Sequence, residues 1–186
     1  MKIFVATPHN FRETLQIYYD LIEQELKKFS CKVLVSNFEG SKKLLKPIEM
    51  NSLRDDEDIH YETIEKGILW ADILIFELTA QDLLLGYHLN NALNLKKNTL
   101  GLSLKTNINK KINNDHFESK IYNKNNLKTI LKEFLIKSEP LPLNIRFNMF
   151  LSQTHETYLN CQSKKHNISK SDYIRDLIEK DMLKGD

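Results

Sequence analysis

The middle of the chain contains two unbroken apolar runs separated by a segment with helical spacing. The runs extend from Ile73 to Phe76 and from Thr99 to Leu104, and the periodic segment extends from Leu83 to Leu95. A strand that is apolar at every position suits a parallel sheet covered on both faces, and parallel neighbours need a crossover helix. The pattern therefore predicts a strand, a helix and a second parallel strand.

The pattern on either side extends this unit into an α/β domain. Predicted strands cover Lys2 to Ala6, Cys31 to Ser36 and, as a short edge strand, Ser119 to Tyr122; predicted helices cover Asn10 to about Phe29, Ile59 to Trp70 and Leu127 to Ile136. Helical spacing turns Ile64, Ile68 and Leu69 inward. The order predicts a Rossmann-like (flavodoxin-like) parallel sheet flanked by helices.

Two connecting segments have a mixed or polar composition. The segment from Asn37 to Asp58 is predicted to be a long excursion over the site, and the segment from Lys105 to His116 a loop. The acidic run Asp55 to Asp58 is interpreted as a solvated turn and helix start, because consecutive carboxylates do not converge on one metal ion.

The sequence from Ser138 to Pro142 marks a boundary, because its two prolines cannot continue a helix. After it, Leu143 to Met149 alternates with the period of a strand. A helix to about Lys165 is predicted to turn Thr157, Tyr158, Cys161 and Leu151 inward, and a last helix carries the apolar stripe Tyr173, Ile174, Leu177, Ile178 and Met182. The predicted units are residues 1–137, a linker at 138–142, and residues 143–186.

Composition limits the function classes. The net charge of +2 is too small to indicate nucleic-acid binding by itself, and the two cysteines lack metal-type spacing. No signal segment or bilayer-length apolar run is present in the sequence. We therefore expect a cytoplasmic protein with no membrane partner, no metal and no cofactor.

In an open parallel sheet, ligands bind beyond the carboxyl ends of the strands. Glu77, Asp82, Gly86 and His88 are predicted to lie there. Thr7, His9 and Arg12 follow the first strand and lie close to a predicted helix N-terminus, where a phosphate could be held. The alternative is that Asn10 and Glu13 of this segment only cap the helix.

The segment Asp82 to Leu89 resembles the nucleotide-site signature of the nucleoside 2-deoxyribosyltransferases. Together with Ile59-His60 and Ala71-Asp72 it is most similar to the related 2'-deoxynucleoside 5'-phosphate N-hydrolases. The resemblance implies a nucleoside or nucleotide ligand and a glutamate that attacks the anomeric carbon or stabilises its cationic transition state.

The chain departs from this family at the residues that matter for chemistry. His88 stands at the position of the nucleophilic glutamate, Asp82 replaces the phosphate-turn serine of the hydrolases, and Leu84 stands where glycine is preferred. Glu62 and Glu65 flank the position of the family's second carboxylate. The candidate catalytic residues are His88, Glu62 and Glu65, and the alternative for His88 is a buried, hydrogen-bonded histidine that fills a degenerate pocket.

The last quarter of the chain resembles a ribbon-helix-helix domain of the Arc and MetJ type, chiefly in the segment Asn167 to Ile178. The resemblance implies a dimer in which two strands pair and enter the DNA major groove. The residues it assigns to DNA are Asn144, Arg146 and Asn148 on the ribbon and Ser169 and Lys170 at the last helix. The alternative is a dimerisation unit that does not contact DNA.

Three functions follow as hypotheses. The first is a regulator whose nucleoside-binding domain no longer turns over its ligand and is joined to a dimeric DNA-binding unit. The second is an active N-glycosidase or deoxyribosyltransferase that uses Glu62, Glu65 or Glu77, with the C-terminal unit serving only for dimerisation. The third is the antitoxin half of a toxin–antitoxin pair.

Overall fold

The computed structural model describes residues 1–9, 12–109, 111–138 and 147–182, without the side chains of residues 12, 13, 38, 179 and 182. The chain divides into two compact units, Met1–Pro140 (unit 1) and Leu141–Asp186 (unit 2). The strands are β1 (Lys2–Ala6), β2 (Lys32–Val35), β3 (Ile73–Glu77), β4 (Asn98–Ser103) and β5 (Phe117–Ile121). The helices are α1 (Arg12–Lys27), α2 (Phe38–Leu44), α3 (Pro47–Ser52), α4 (Asp56–Trp70), α5 (Leu83–Asn94), α6 (Leu127–Ser138), α7 (Gln153–His166) and α8 (Lys170–Met182).

Unit 1 is built on a parallel sheet with the strand order β2-β1-β3-β4-β5. The central strand β3 is buried at all five positions, as expected for a strand with helices on both faces. The predicted α/β fold with a parallel sheet is therefore confirmed, and β5 is the edge strand that the sequence predicts.

Alternation along the strands produces two cores, one on each face of the sheet. Ile73 and Ile75 of β3 pack in a cluster with residues of α1 and α6, whereas Leu74 and Phe76 pack in a second cluster with residues of α4 and α5. On the second face α4 approaches the sheet closely at Gly67, where an added Cβ atom would lie 2.4 Å from the Phe4 ring. The parity of a residue on β3 thus decides which helices it meets.

The segment from Asn37 to Asp58, predicted as a long excursion over the site, contains the short helices α2 and α3 and the start of α4. Asn37 caps α2 by accepting a hydrogen bond from Gly40 N, and Pro47 begins α3 at a position that needs no N–H donor. Leu69 was predicted to point inward but is 63% exposed. It is one residue past the buried Ile68 on α4 and therefore lies on the other side of the helix.

Unit 2 contains α7, a turn and α8 among its described residues. Asn167 ends α7 in the left-handed conformation with φ 53° and ψ 42°, a region that asparagine tolerates better than most residues. Ser169 and Asp172 cap the start of α8: the Ser169 hydroxyl accepts from Asp172 N at 3.0 Å and donates to Asp172 Oδ2 at 2.6 Å.

The predicted strand of unit 2 falls mainly on residues 143–146, which lie outside the described ranges, and its described residues 147–149 are in neither a helix nor a strand. The predicted inward face of α7 is wrong: Thr157, Tyr158, Cys161 and the preceding Leu151 are exposed, and Leu159 and Ser163 are buried instead. No helix in the described part of the chain is long and apolar enough to cross a membrane.

Candidate functional site

The candidate site lies where the chain changes direction across the sheet. In the order β2-β1-β3-β4-β5, the connection from β1 leads to β2 on one side and the connection from β3 leads to β4 on the other, so a crevice is expected beyond the carboxyl ends of β1 and β3. Thr7 and His9 follow β1, and Thr79 and Asp82 follow β3. The topology therefore brings these four residues, of which all but Thr79 are predicted site residues, to the carboxyl end of the sheet.

Four aromatic rings form a continuous series on the α4 and α5 side of this edge. The ring centroids of His9 and His60 are 5.2 Å apart, those of His60 and Tyr61 are 5.2 Å apart, and those of Tyr61 and His88 are 5.9 Å apart. The last pair is nearly parallel, with an interplanar angle of 11°. The series connects the loop after β1 to the middle of α5.

A hydrogen bond between Tyr61 and Asp82 joins α4 to the start of α5. The Tyr61 hydroxyl donates to Asp82 Oδ2 at 2.7 Å, and Asp82 Oδ1 accepts from Leu85 N at 2.8 Å. Asp82 is thus both the N-cap of α5 and the partner of a phenol. Burial, followed by this bond to Asp82, raises the pKa of Tyr61, so Tyr61 is a neutral donor at physiological pH.

His88 is a buried histidine on α5. The residue is 6% exposed, and no described donor or acceptor reaches Nδ1. Burial lowers the pKa of His88, although the carboxylates of Glu65, Asp82 and Glu62 act in the opposite direction. The imidazole is therefore neutral at physiological pH. The burial agrees with the alternative of a buried, hydrogen-bonded histidine, and among the described residues Nδ1 has no hydrogen-bond partner.

Glu77 does not join His88. It has the same parity on β3 as Ile73 and Ile75, and its partner Tyr122 belongs to the core on the α1 and α6 face. Glu77 Oε1 accepts hydrogen bonds from the Thr79 hydroxyl and, at 3.3 Å each, from Thr79 N and the Tyr122 hydroxyl. Burial raises the pKa of Glu77, which these hydrogen bonds oppose. The sheet separates this acid from the ring series.

Of the two candidate glutamates on α4, one lies in a cleft with His88. The cleft has a volume of about 240 Å³ between α4 and α5 and is lined by Glu65, Ile68, Leu69, His88, Asn91, Asn94 and Leu95. Glu62 instead lies 3.6 Å from Lys66 Nζ in an exposed ion pair. Glu65 therefore lines the cleft together with His88, and Glu62 does not.

The remaining predicted ligand residues of unit 1 are mainly engaged in the fold. The Thr7 hydroxyl lies 3.0 Å from Ser36 Oγ, and the Thr7 carbonyl oxygen accepts from His60 Nε2 at 2.7 Å. Gly86 has open space where a Cβ atom would stand. Arg12 begins α1, but its side chain and the predicted cap residue Asn10 lie outside the described set.

The predicted DNA-contacting residues of unit 2 have different environments. Asn144 and Arg146 lie outside the described ranges, and Asn148 is exposed. Lys170 Nζ lies 3.3 Å from Glu156 Oε1. Because Ser169 is bonded to Asp172, both polar side chains at the start of α8 already have partners in the single chain.

Sequence reasoning missed Tyr61, although a signal was present. Tyr61, Ile64 and Ile68 follow helical spacing, which puts Tyr61 on the buried face of α4 and opposite α5. His60 was noted only as part of a motif; its bond to the Thr7 carbonyl depends on the packing of α4 against β1 and has no sequence signal. In the described ranges, no group of three His, Cys, Asp or Glu side chains is placed to hold a metal ion.

Comparison with known proteins adds little to this geometry. No family model matches the chain, and no curated protein matches it. Among solved structures, the chain is similar to a conserved protein from Enterococcus faecalis V583, with 15% sequence identity and a TM-score of 0.44. The match covers 74% of this chain and 98% of the other. A likeness at this level carries no argument about function.

Proposed function

We propose that this chain is a ligand-responsive regulator. In this proposal unit 1 binds a nucleoside or nucleotide without cleaving it, and unit 2 pairs two chains and binds DNA. The observation that carries the first part is the state of His88, which is buried and neutral at the position where the resemblance to the deoxyribosyltransferases requires a carboxylate.

The chemistry of N-glycoside cleavage explains why His88 argues against turnover. As the base departs, positive charge develops on the sugar, and a neighbouring anion either attacks the anomeric carbon or stabilises that charge. A neutral imidazole supplies no negative charge, and a protonated one repels the developing cation. His88 therefore fits recognition of a ligand better than its cleavage.

The location and the aromatic lining support a heterocyclic ligand. The ring series of His9, His60 and Tyr61 lies at the edge of the sheet where parallel α/β proteins bind ligands. Aromatic faces stack on bases, but Tyr61 is buried, so a base would reach its face only if the hydrogen-bonded pair of Tyr61 and Asp82 exchanges its internal bond for one to the ligand. Opening this pair would connect ligand binding to a movement of α4 relative to α5.

The exposed apolar residues of unit 2 support pairing with a second chain. Phe147, Met149 and Phe150 precede α7, and Leu177 and Ile178 lie on α8; all five are more than two-fifths exposed. A unit of this size cannot bury enough surface alone, and an exposed group of large apolar side chains marks an interface. A second copy that pairs its own residues 143–149 with these would cover them.

The first test is ligand binding and turnover by the purified full chain. Deoxynucleosides and their 5'-monophosphates are added, thermal unfolding reports binding, and chromatography reports free base. We expect a rise in unfolding temperature without base release; a ligand at 100 times its Kd would stabilise unit 1 by about 2.7 kcal/mol. Base release that is lost in His88→Ala would overturn the proposal.

A second candidate function is favoured by one observation. Glu65 lies in the same cleft as His88, so a carboxylate is available on α4 to an N-glycosidase. This candidate predicts base release that persists in His88→Ala and is lost in Glu65→Gln. The matched control is Glu62→Gln, because Glu62 has the same charge on the same helix but pairs with Lys66.

DNA binding by unit 2 is tested separately. A gel-shift series with DNA from upstream of the chain's own gene is run at several salt concentrations, with Arg146→Ala as the variant of the predicted ribbon. We expect sequence-selective binding that weakens in the variant, since a bidentate base contact is worth about 1–3 kcal/mol. Dimerisation without any selective binding would leave unit 2 as a dimerisation unit only.

The antitoxin hypothesis predicts a toxic neighbouring gene.

A further inference from the structure

The cleft between α4 and α5 has a chemical character that the proposed function does not use. Its walls combine three aliphatic side chains, Ile68, Leu69 and Leu95, with the carboxylate of Glu65 and the amides of Asn91 and Asn94. Thr7, His9 and Asp82 are not among its lining residues, so it differs from the predicted crevice at the strand ends. His88 closes its inner end.

The charged and strongly polar groups of this cleft favour a positive ligand. Glu65 contributes a carboxylate, and no salt bridge to Glu65 is present among the described residues. No lysine or arginine is found among the described lining residues. The nearest lysine on the same helix, Lys66, is directed to Glu49 and Glu62 at 3.5 and 3.6 Å. The cleft therefore offers a negative charge that the protein itself does not neutralise.

The field at His88 agrees with this sign. The carboxylates of Glu65, Asp82 and Glu62 all act to hold a proton on His88, which means that each contributes negative potential at the inner end of the cleft. His88 nevertheless stays neutral because burial outweighs them. The site thus has a negative potential with no cationic side chain among its described lining residues, and an incoming cation would gain chiefly from Glu65, the carboxylate that lines the cleft.

The size and the aliphatic walls restrict the cation further. A volume of about 240 Å³ exceeds that of a metal ion with its water and suits one ring with a short substituent. Leu69 and Leu95, which are 63% and 51% exposed, would lose contact with water when an apolar body covers them. Burial of such surface is favourable by roughly 25 cal/mol per Å².

We propose that the α4–α5 cleft is a binding site for a small organic cation, a protonated primary amine carried on an apolar body. The ammonium group lies against the Glu65 carboxylate and donates its remaining protons to the amide oxygens of Asn91 and Asn94. The apolar body packs on Ile68, Leu69 and Leu95. This site adjoins the proposed nucleoside site at His88, which lines the cleft, but it binds the cation through Glu65, Asn91 and Asn94.

The test compares benzylammonium with benzyl alcohol, which has nearly the same shape but no charge. Binding to the full chain is followed by NMR titration of the side-chain amides of Asn91 and Asn94. We expect these signals to shift and saturate with benzylammonium, and benzyl alcohol to bind at least about tenfold more weakly, because hydrogen bonds to a charged group are the stronger ones.

Two glutamate variants locate the interaction. Glu65→Gln is expected to weaken benzylammonium binding about tenfold, whereas Glu62→Gln changes it less than about twofold, because only Glu65 can form a direct charge-assisted bond. Glu65 is exposed and has no salt bridge among the described residues, so its variant should fold, which circular dichroism verifies.

Three results would overturn this proposal. They are equal binding of the alcohol and the ammonium, equal weakening by the two glutamate variants, and no saturable shift of the Asn91 and Asn94 signals in the wild type. None of these results bears on nucleoside binding at the strand ends, so failure here and failure of the proposed function are distinguishable.

Discussion

The two units of this chain differ in how completely they bury their apolar residues. In unit 1 every residue of β3 is buried, and separate clusters of side chains cover each face of the sheet. In unit 2 only Leu159, Ser163 and Tyr173 are buried among the described side chains. Unit 1 therefore has the interior of an independently folding domain, while unit 2 has helices with little core between them.

This difference indicates where each unit obtains its stability. Hydrophobic burial is the dominant favourable term in folding, and it must exceed the entropy lost by ordering the chain. Unit 1 obtains this burial within one chain. Unit 2 leaves Phe147, Phe150 and Leu177 exposed, so we expect it to obtain the missing burial from a second copy.

The largest expected effect is truncation in the core of unit 1. Phe76 is fully buried on β3, and Phe76→Ala should lower the free energy of unfolding by about 3–5 kcal/mol. The emission of Trp70, the single tryptophan of the chain, reports unit 1 during urea denaturation. The loss should be the same at all protein concentrations. A strong concentration dependence would show that unit 1 also relies on a partner.

The next effect tests the need of unit 2 for a partner. Leu177 is 44% exposed in the single chain, so Leu177→Ala should hardly change the stability of the monomer. If a second copy covers Leu177, the variant should weaken the free energy of dimerisation by about 2 kcal/mol. Sedimentation equilibrium measures the monomer–dimer constant directly. The control is Ile17→Ala, which truncates a 67% exposed residue on α1 of unit 1. Equal, small effects of both variants would contradict pairing through α8.

A smaller effect is expected in the pH dependence of unit 1. Burial raises the pKa of Glu77 above its ordinary value of 4.5, so the folded state binds more protons than the unfolded state above that pH. Stability should therefore fall as pH rises from 4.5 through the raised pKa, by at most about 1.4 kcal/mol per pH unit for one proton. Glu77→Gln should remove this slope, because the amide has a similar shape and does not ionise.

The matched control for that slope is Glu133→Gln, which changes the net charge equally at an exposed position on α6. It should leave the pH dependence of unfolding unchanged. The wild type and Glu77→Gln could instead show the same dependence of the unfolding free energy on pH between pH 4.5 and 8. In that case Glu77 is ionised in the folded state, and a hydrogen-bond donor must reach its second carboxylate oxygen.

Much of the fold of unit 1 could be predicted, because its strands are apolar at nearly every position. The runs Ile73 to Phe76 and Thr99 to Leu104 identified two central strands to within one residue at each end. The segment with α2 and α3 was missed because short helices carry too few residues to show a period. In unit 2, the spacing of apolar residues does not distinguish a helix face that packs within the chain from a face that a second chain would cover. For this reason the sequence did not identify Leu159 as buried.

The site was less predictable than the fold. Motif spacing brought Asp82 and His88 together on α5, since both lie within two turns of one helix. The sequence predicted that Glu77 lies at the carboxyl end of the sheet, but not on which face of the sheet its side chain lies. That face depends on whether its position along β3 is odd or even. The bond from Tyr61 to Asp82 joins residues 21 positions apart in the sequence, and only the packing of α4 beside α5 determines it.

The smallest effect concerns the start of α8 and compares Ser169 with Ser171, two residues further along the chain. Ser169 both accepts from Asp172 N and donates to its carboxylate, whereas Ser171 has no such bond among the described contacts. Loss of an N-cap side chain costs typically about 1 kcal/mol, so Ser169→Ala should destabilise α8 by about that amount and Ser171→Ala should not. Hydrogen exchange of the α8 amides measures both variants. If Ser169→Ala instead leaves exchange unchanged and weakens DNA binding, the Ser169 hydroxyl serves the phosphate backbone, and its bond to Asp172 must be given up when DNA binds.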